Sequence, residues 1–362
     1  MDRSELIDFE LLIKPVSDEM PAGVDPRSDI SPASQYYSLK DVRSQARANE
    51  RAMLFEDDDF QSLVLDWRPL VQTLPELLAG QSKDLEYAAW LIEAWCRSEG
   101  FFGLASGFKA TRLLIEHFWA DLYPSPDDEG MEARIAPLIG LNGYEGDGAL
   151  ITPILSIPLT ETTSEGCFAC WQYVRAADIS RKDENKQKQR AEAGIASLEQ
   201  IQQAVQETSA GFYQQLRSDI QLAIAEFKLL SDAMDAAMAG EPQPTTAISK
   251  AMQTCLDTVN YLAADKLKVA ADIAPTDADA GLTDVKPANV DAQLQSRQHA
   301  IRSLQLAADF FRKTEPHSPM SYALEQVIRW SDLTLPELLQ ELIDDSNTRN
   351  SYFRLAGIPQ TK

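Results

Sequence analysis

Residues 82–100 read "SKDLEYAAWLIEAWCRSEG", and this stretch decides the fold class. Leu85, Ala88, Ala89, Ile92 and Trp95 recur at the helical period, which lays them along one stripe. Ser82 is placed to cap the N-terminus, with Asp84 and Glu86 in the first turn, where the positive end of the helix dipole favours acids. Gly100 supplies the stop. A single helix this apolar needs neighbours to cover it, and the flanking sequence is built to provide them.

The neighbours read as helices too. Tyr36–Ala52 is a charged helix following the turn-rich "PAGVDPRSDISPAS". A second begins near Asp59 or Phe60, with Leu63, Trp67, Leu70, Leu74, Leu77 and Leu78 along one stripe. A further helix covers Gly103–Phe118. Loops punctuate at "LYPSPDDEG" and "LIGLNGYEGDG", and a short strand pair is expected near Leu150–Leu159. Residues 1–178 are therefore expected to form an N-terminal helical domain with a minor β-hairpin, and five of the six Trp lie there.

Past Ser180 the composition shifts. "SRKDENKQKQRAEAG" is charge-dense with no large apolar side chain, so it reads as a linker or an exposed helix start. From Gly194 to Ala239 the pattern is helical with a break at "TSAG", Thr208–Gly211, and Ala247–Ala270 gives one more helix. Residues 179–270 are expected to form a middle helical bundle. Residues 271–290, "ADIAPTDADAGLTDVKPANV", have no aromatic residue and read as a flexible acidic linker. Residues 291–362 are expected to form a compact C-terminal domain of three helices. The first carries Leu294, Ile301, Leu304, Ala308 and Phe311, and the third Leu335, Leu338, Leu339, Leu342 and Ile343. The fold class is mainly all-α and multi-domain.

The formal charge of -23 argues against nucleic acid, whose affinity depends on cations neutralising phosphates, and against anionic membrane surfaces. Partners are expected to be proteins. No apolar run reaches the roughly 18–20 residues needed to cross a bilayer, and Asp2, Glu5, Asp8 and Glu10 stand where a signal peptide would be basic. A cytoplasmic location, without membrane insertion, is expected. Four Cys fit a reducing compartment.

Few residues suggest chemistry. Cys167-Phe-Ala-Cys170 is a CxxC, but no second pair is visible for a zinc site and no βαβ context for a redox site. His117, His299 and His317 are scattered. "FEDDDF" and "PDDEG" are consecutive acids without the alternation of a calcium loop, and no phosphate loop or nucleophile elbow occurs. No catalytic residue, metal ligand or cofactor is expected. A redox or metal-dependent enzyme centred on Cys167 and Cys170 is the alternative.

"RKTEPHSPMSYALEQVIRW", Arg312–Trp330, gathers Glu315, His317 and Ser318 between two prolines. Glu315 and Ser318 each precede Pro, which disfavours helical backbone there. Ser318 followed by Pro319 is a cap and first-turn proline for the next helix. The cluster thus reads as a helix–helix corner. A catalytic triad, by contrast, is assembled from distant positions.

Taken together, PAGVDPR (Pro21–Arg27), SQARANER (Ser44–Arg51), Ser82–Phe108 and EARIAPLIGLNG (Glu132–Gly143) resemble, in order, the ImpA-type N-terminal domain of the TssA family of bacterial type VI secretion systems. Arg302–Ile343 resembles the C-terminal segment of the shorter TssA members, with its EPHSP motif. The resemblance implies a cytoplasmic, non-enzymatic assembly factor. It implies a homo-oligomeric ring, of six or a multiple of six subunits, that contacts the baseplate and primes or coordinates polymerisation of tube and sheath. Contacts with membrane-complex proteins belong to the same picture, and a monomeric adaptor between baseplate and membrane complex is a further alternative. Candidate interaction residues are Phe310, Arg312, Glu315, His317, Arg329 and Trp330 at the corner. In the N-terminal motifs, Asp25, Arg27, Arg47 and Arg51 make either domain-internal ion pairs or partner contacts.

Overall fold

The computed structural model describes residues 5–53, 60–126, 130–144, 146–180 and 196–271, with 305, 308, 311–312 and 319–331 of the C-terminal part. The chain divides into two compact units, Met1–Pro275 and Thr276–Lys362.

The first unit is built of helices. In order they are α1 Phe9–Leu12, α2 Gln35–Met53, α3 Arg68–Gly80, α4 Leu85–Ser98, α5 Gly100–Phe118, α6 Glu132–Asn142, α7 Ile151–Ser156 and α8 Cys170–Ser180. Then follow α9 Leu198–Glu207, α10 Ala210–Ala237, α11 Thr246–Leu262 and α12 Ala264–Ala271. Short 3₁₀ turns occupy Pro26–Ser28 and Phe60–Trp67. Among the described residues, β pairing is confined to isolated bridges such as Gly23 with Ser82.

Helix α4 is the centre. Leu85 and every residue from Tyr87 to Cys96 are buried, as expected of a helix covered on all sides. Its cap is Asp84, whose side chain accepts from the Tyr87 amide, and not Ser82 as the sequence pattern suggests. Ser82 is instead held in the bridge to Gly23, and Asp84 is the residue that sits one step before the first helical position. Helix α5 returns along α4 at close range. A Cβ on Gly103 would lie 2.2 Å from the Trp95 carbonyl oxygen, so only glycine allows this approach.

The expected hairpin near Leu150–Leu159 is absent: Ile151–Ser156 is helix α7. An apolar run of this length fits either element, and Pro153, in the first turn of α7, is compatible with a helix start. The break at "TSAG" is present, with Thr208 ending α9 and Ser209 capping α10 through the Phe212 amide. The single helix expected over Ala247–Ala270 is two, parted at Ala263.

The stretches expected as separate domains, 1–178 and 179–270, share one continuous core. Helix α10 lies along α5, with the Phe108 and Phe227 rings 4.7 Å apart and Arg112 paired to Glu226 at 3.4 Å. Asn142 Oδ1, at the end of α6, accepts from the Ile248 amide in α11 at 3.0 Å. The apolar faces of 198–271 pack against the N-terminal helices, so the core runs without a break across the expected boundary.

In the second unit, α13 spans Pro319–Ser331, and Ala308 is buried. Within the expected linker the chain divides after Pro275; 272–290, like 181–195 and the expected helix over 335–343, lie outside the described residues.

Candidate functional site

The PAGVDPR loop and the first turn of α4 form one polar assembly. Asp25 caps the 3₁₀ turn Pro26–Ser28, its Oδ1 accepting from the Arg27 amide at 3.0 Å and from the Arg27 guanidinium at 2.9 Å. Both terminal nitrogens of Arg27 donate to Asp84 Oδ2 at 2.7 Å. Glu86 stands 3.4 Å away, and the guanidinium lies over the Tyr36 ring at 5.3 Å. Tyr36 in turn donates its hydroxyl to Glu86 at 2.9 Å.

Asp84 is fully buried. Burial pushes its carboxyl up to about 6, against the pull of Arg27 and the Tyr87 amide, which favour the anion. Burial also works against the Arg27 cation, but Asp84, Glu86 and Asp25 outweigh it and its pKa is raised. One interaction therefore caps the central helix and fastens the loop to it.

Next to this assembly, the Lys83 ammonium donates to three carbonyl oxygens, of Leu12 at 2.8 Å, Leu78 at 3.0 Å and Ala79 at 2.9 Å. It also sits over the Phe118 ring at 5.2 Å. Burial draws its pKa down to about 8. The Leu78 and Ala79 carbonyls at the end of α3, which helix geometry leaves without partners, are satisfied by this one side chain, which also takes up the Leu12 carbonyl of α1. Gly23, with φ of +77°, passes so close to Gln81 that a Cβ would lie 2.0 Å from its carbonyl oxygen.

A second set of charges runs between α2 and α4. Glu93, fully buried, takes Arg43 Nε at 2.5 Å and has Arg47 Nε at 3.8 Å. Burial lowers the Arg47 pKa, Glu93 opposes that, and the neighbouring arginines reinforce it. Glu50 accepts from Trp67 Nε1 at 2.8 Å and pairs with the buried Arg97. Arg51, in the last turn of α2, is exposed and has no ion pair with a described residue.

Asp25, Arg27 and Arg47 thus engage groups inside the unit, while Arg51 faces solvent. Of their main partners, the sequence marks Asp84 and Glu86 only as first-turn acids of α4, and it does not single out Glu93, Lys83 or the Glu50–Arg97 pair. A signal existed: Arg43, Arg47 and Glu50 share one face of α2 at four- and three-residue steps, and Glu86, Glu93 and Arg97 share one face of α4 at seven- and four-residue steps. Complementary charge stripes on two amphipathic helices predict pairing.

In the C-terminal unit, Arg312 pairs with Glu325 of α13. Arg329 is exposed, and Trp330 is half-buried with an indole N–H that has no partner among the described residues. Phe310, Glu315 and His317 lie outside the described residues. The two candidate groups belong to different units.

The CxxC pair is divided between roles. Cys167 donates to the Thr160 carbonyl at 3.2 Å, and the buried Cys170 meets Thr258 Oγ1 at 3.5 Å, beside Cys255. Among the described residues no group of three His, Cys, Asp or Glu is placed to hold a metal ion. None of the helices over those residues is long and apolar enough to cross a membrane.

Comparison with known proteins adds to this geometry. Residues 13–143 match the family model of the ImpA N-terminal region, type VI secretion system. The chain is 24% identical to the type VI secretion system component TssA1 of Pseudomonas aeruginosa, over 94% of this chain and 96% of the relative. Its fold is similar to that of the N-terminal domain, including the conserved ImpA_N region, of the TssA component from Burkholderia cenocepacia. That match has a TM-score of 0.59 at 22% identity and covers 73% of this chain and 96% of the other. The matched region holds the loop, α2, α4 and the ion pairs that join them, so residues 13–143 carry an ImpA-type N-terminal region, and the chain as a whole is similar to a TssA component of type VI secretion.

Proposed function

We propose that this chain is a non-enzymatic, cytoplasmic assembly factor of the type VI secretion apparatus. It is a homo-oligomeric scaffold that contacts the baseplate and primes or coordinates polymerisation of tube and sheath. The observation that carries the reading is the similarity to a TssA component along nearly the whole length of both chains. The division into two units supports it, since one can associate with copies of itself while the other meets a symmetric particle. Repeated weak contacts on a symmetric assembly gain from effective concentration.

Several charged side chains of the N-terminal motifs act inside the fold, which supports a framework role for them. On this reading self-association belongs to the C-terminal unit, with Arg312, Arg329 and Trp330 among its contact residues and Phe310, Glu315 and His317 at the same corner.

The test combines light scattering and negative-stain images of the full chain with secretion assays in a strain lacking it. Ring-shaped particles, and loss of sheath assembly rescued by the chain, are expected. Particles that stay single across micromolar concentrations, with secretion still rescued, would favour a monomeric adaptor between baseplate and membrane complex. A Cys167→Ala, Cys170→Ala variant is expected to secrete normally. Loss of secretion by a folded variant would favour the redox or metal enzyme.

A further inference from the structure

Helix α2 carries a row of cations on one side. Lys40, Arg43, Arg47 and Arg51 follow one another at three- and four-residue steps, so they stand along one face over about three turns, roughly 16 Å. Lys40 and Arg51 are exposed. Arg43 and Arg47 keep 23% and 31% of their side-chain surface in solvent.

Counter-charge beneath this row is short. Glu93 holds Arg43 at 2.5 Å and stands 3.8 Å from Arg47, while Glu50 is taken by Arg97 and Trp67. Glu93 Oε1 accepts no hydrogen bond, and the Arg47 guanidinium donates none to a described residue. Lys40 lies over the Tyr36 ring at 5.5 Å, and neither it nor Arg51 forms an ion pair with a described residue. Burial lowers the Arg47 pKa, Glu93 opposes that, and Arg43, Arg97 and Arg51 add their repulsion. Like charges one turn apart destabilise a helix, and an anion from outside would relieve them. The chain's formal charge of -23 does not forbid such a ligand, because at physiological ionic strength a field reaches only about 8 Å.

We propose that this row docks an acidic helical segment of a partner protein, with carboxylates one turn apart set against the cations of α2. The forked guanidinium groups suit carboxylates, which they can bind through two hydrogen bonds at once. Nucleic acid fits less well. The neighbouring rings, Tyr36 and Trp90, are buried beneath Lys40 and Arg43 and offer no face on which bases could stack. The proposal stands apart from the scaffold reading: the row lies in the first unit, and a monomeric chain would bind in the same way.

The test uses the full chain and a fluorescein-labelled, alanine-based helical peptide bearing four Glu at alternating four- and three-residue steps, followed by fluorescence anisotropy at low salt. Saturable binding is expected, at least tenfold weaker for the peptide with Gln in place of Glu, and weaker again as salt is raised. Lys40→Gln and Arg51→Gln are each expected to weaken it about threefold, and the double variant about tenfold. Arg51→Gln should leave the urea midpoint unchanged, since it breaks no ion pair within the described fold. No saturable binding up to millimolar protein would overturn the assignment. So would equal binding of the Gln peptide, binding that the double variant does not weaken, or tighter binding of a single-stranded oligothymidylate. Two other occupants would overturn it as well. Peptide binding seen only in a Glu56→Gln, Asp57→Asn, Asp58→Asn, Asp59→Asn variant would give the row to the chain's own acids. A fall in particle mass on Arg51→Gln, read by light scattering, would give it to a second copy.

Discussion

Replacing Arg27 by leucine isolates the interaction that fastens the loop to the central helix. In the folded chain Asp84 titrates at about 6, against about 3.9 in an unfolded one. A carboxyl raised in this way binds more protons folded than unfolded. Its contribution to stability is therefore complete at low pH and is lost as pH rises from about 4 to about 6. Ionised Asp84 already costs the fold roughly 3 kcal/mol at neutral pH, at about 1.4 kcal/mol per pH unit.

Without Arg27 the carboxyl rises further. At pH 7.5 the additional loss is limited to about 2 kcal/mol, because beyond that the group takes up a proton instead. At pH 5 Asp84 is mostly protonated in both proteins, and this component falls close to zero. Loss of the contacts with Tyr36, Glu86 and Asp25 adds about 1 kcal/mol at either pH. Arg27→Leu should thus destabilise by about 3 kcal/mol at pH 7.5 and about 1 kcal/mol at pH 5. Urea unfolding followed by tryptophan fluorescence measures both values. In an Asp84→Asn background, which keeps an acceptor for the Tyr87 amide, the pH dependence should vanish. An Arg27→Leu penalty equal at the two pH values, or a pH dependence that survives in that background, would refute the reasoning.

Three further outcomes follow from the packing. Lys83→Met leaves three carbonyl oxygens without their donor, so a loss of about 2–4 kcal/mol is expected in urea unfolding at pH 7. Phe227→Ala removes the ring packed at a tilt against Phe108, and a loss of about 3–5 kcal/mol is expected. Because α5 and α10 share a core, calorimetry of that variant should show the first unit melting in one transition, and a separate early transition for 198–271 would contradict the shared core. In thiol titration Cys167, which is only partly buried, should react first, and the buried Cys96, Cys170 and Cys255 only on unfolding.

Helix positions were legible because periodicity and capping are local. Leu70, Leu74, Leu77 and Leu78 announce a buried stripe, and Ser209 announces a cap, without knowledge of any partner. Two kinds of information were out of reach. The cap of α4 passed from Ser82 to Asp84 because a long-range bridge to Gly23 claims Ser82, and no local rule sees that bridge. The covering of α5 by α10 depends on Phe108 meeting Phe227, more than a hundred residues away, so the charge-dense segment between them suggested a domain boundary where the core is continuous. At the site, Arg27 and Arg47 stood out from their motifs. The carboxylates that hold them are buried in a helix whose apolar pattern drew attention away from Asp84 and Glu93.

The continuity of that core has a practical side for anyone cutting or grafting the chain. A fragment ended at residue 143, where the family match stops, would strip α10 and α11 from α5 and α6, leaving Phe108 wet and the Asn142 carbonyl with nothing to receive. The portable module is the whole stretch to Pro275, and chimeras joined inside it would inherit half of a hydrophobic seam.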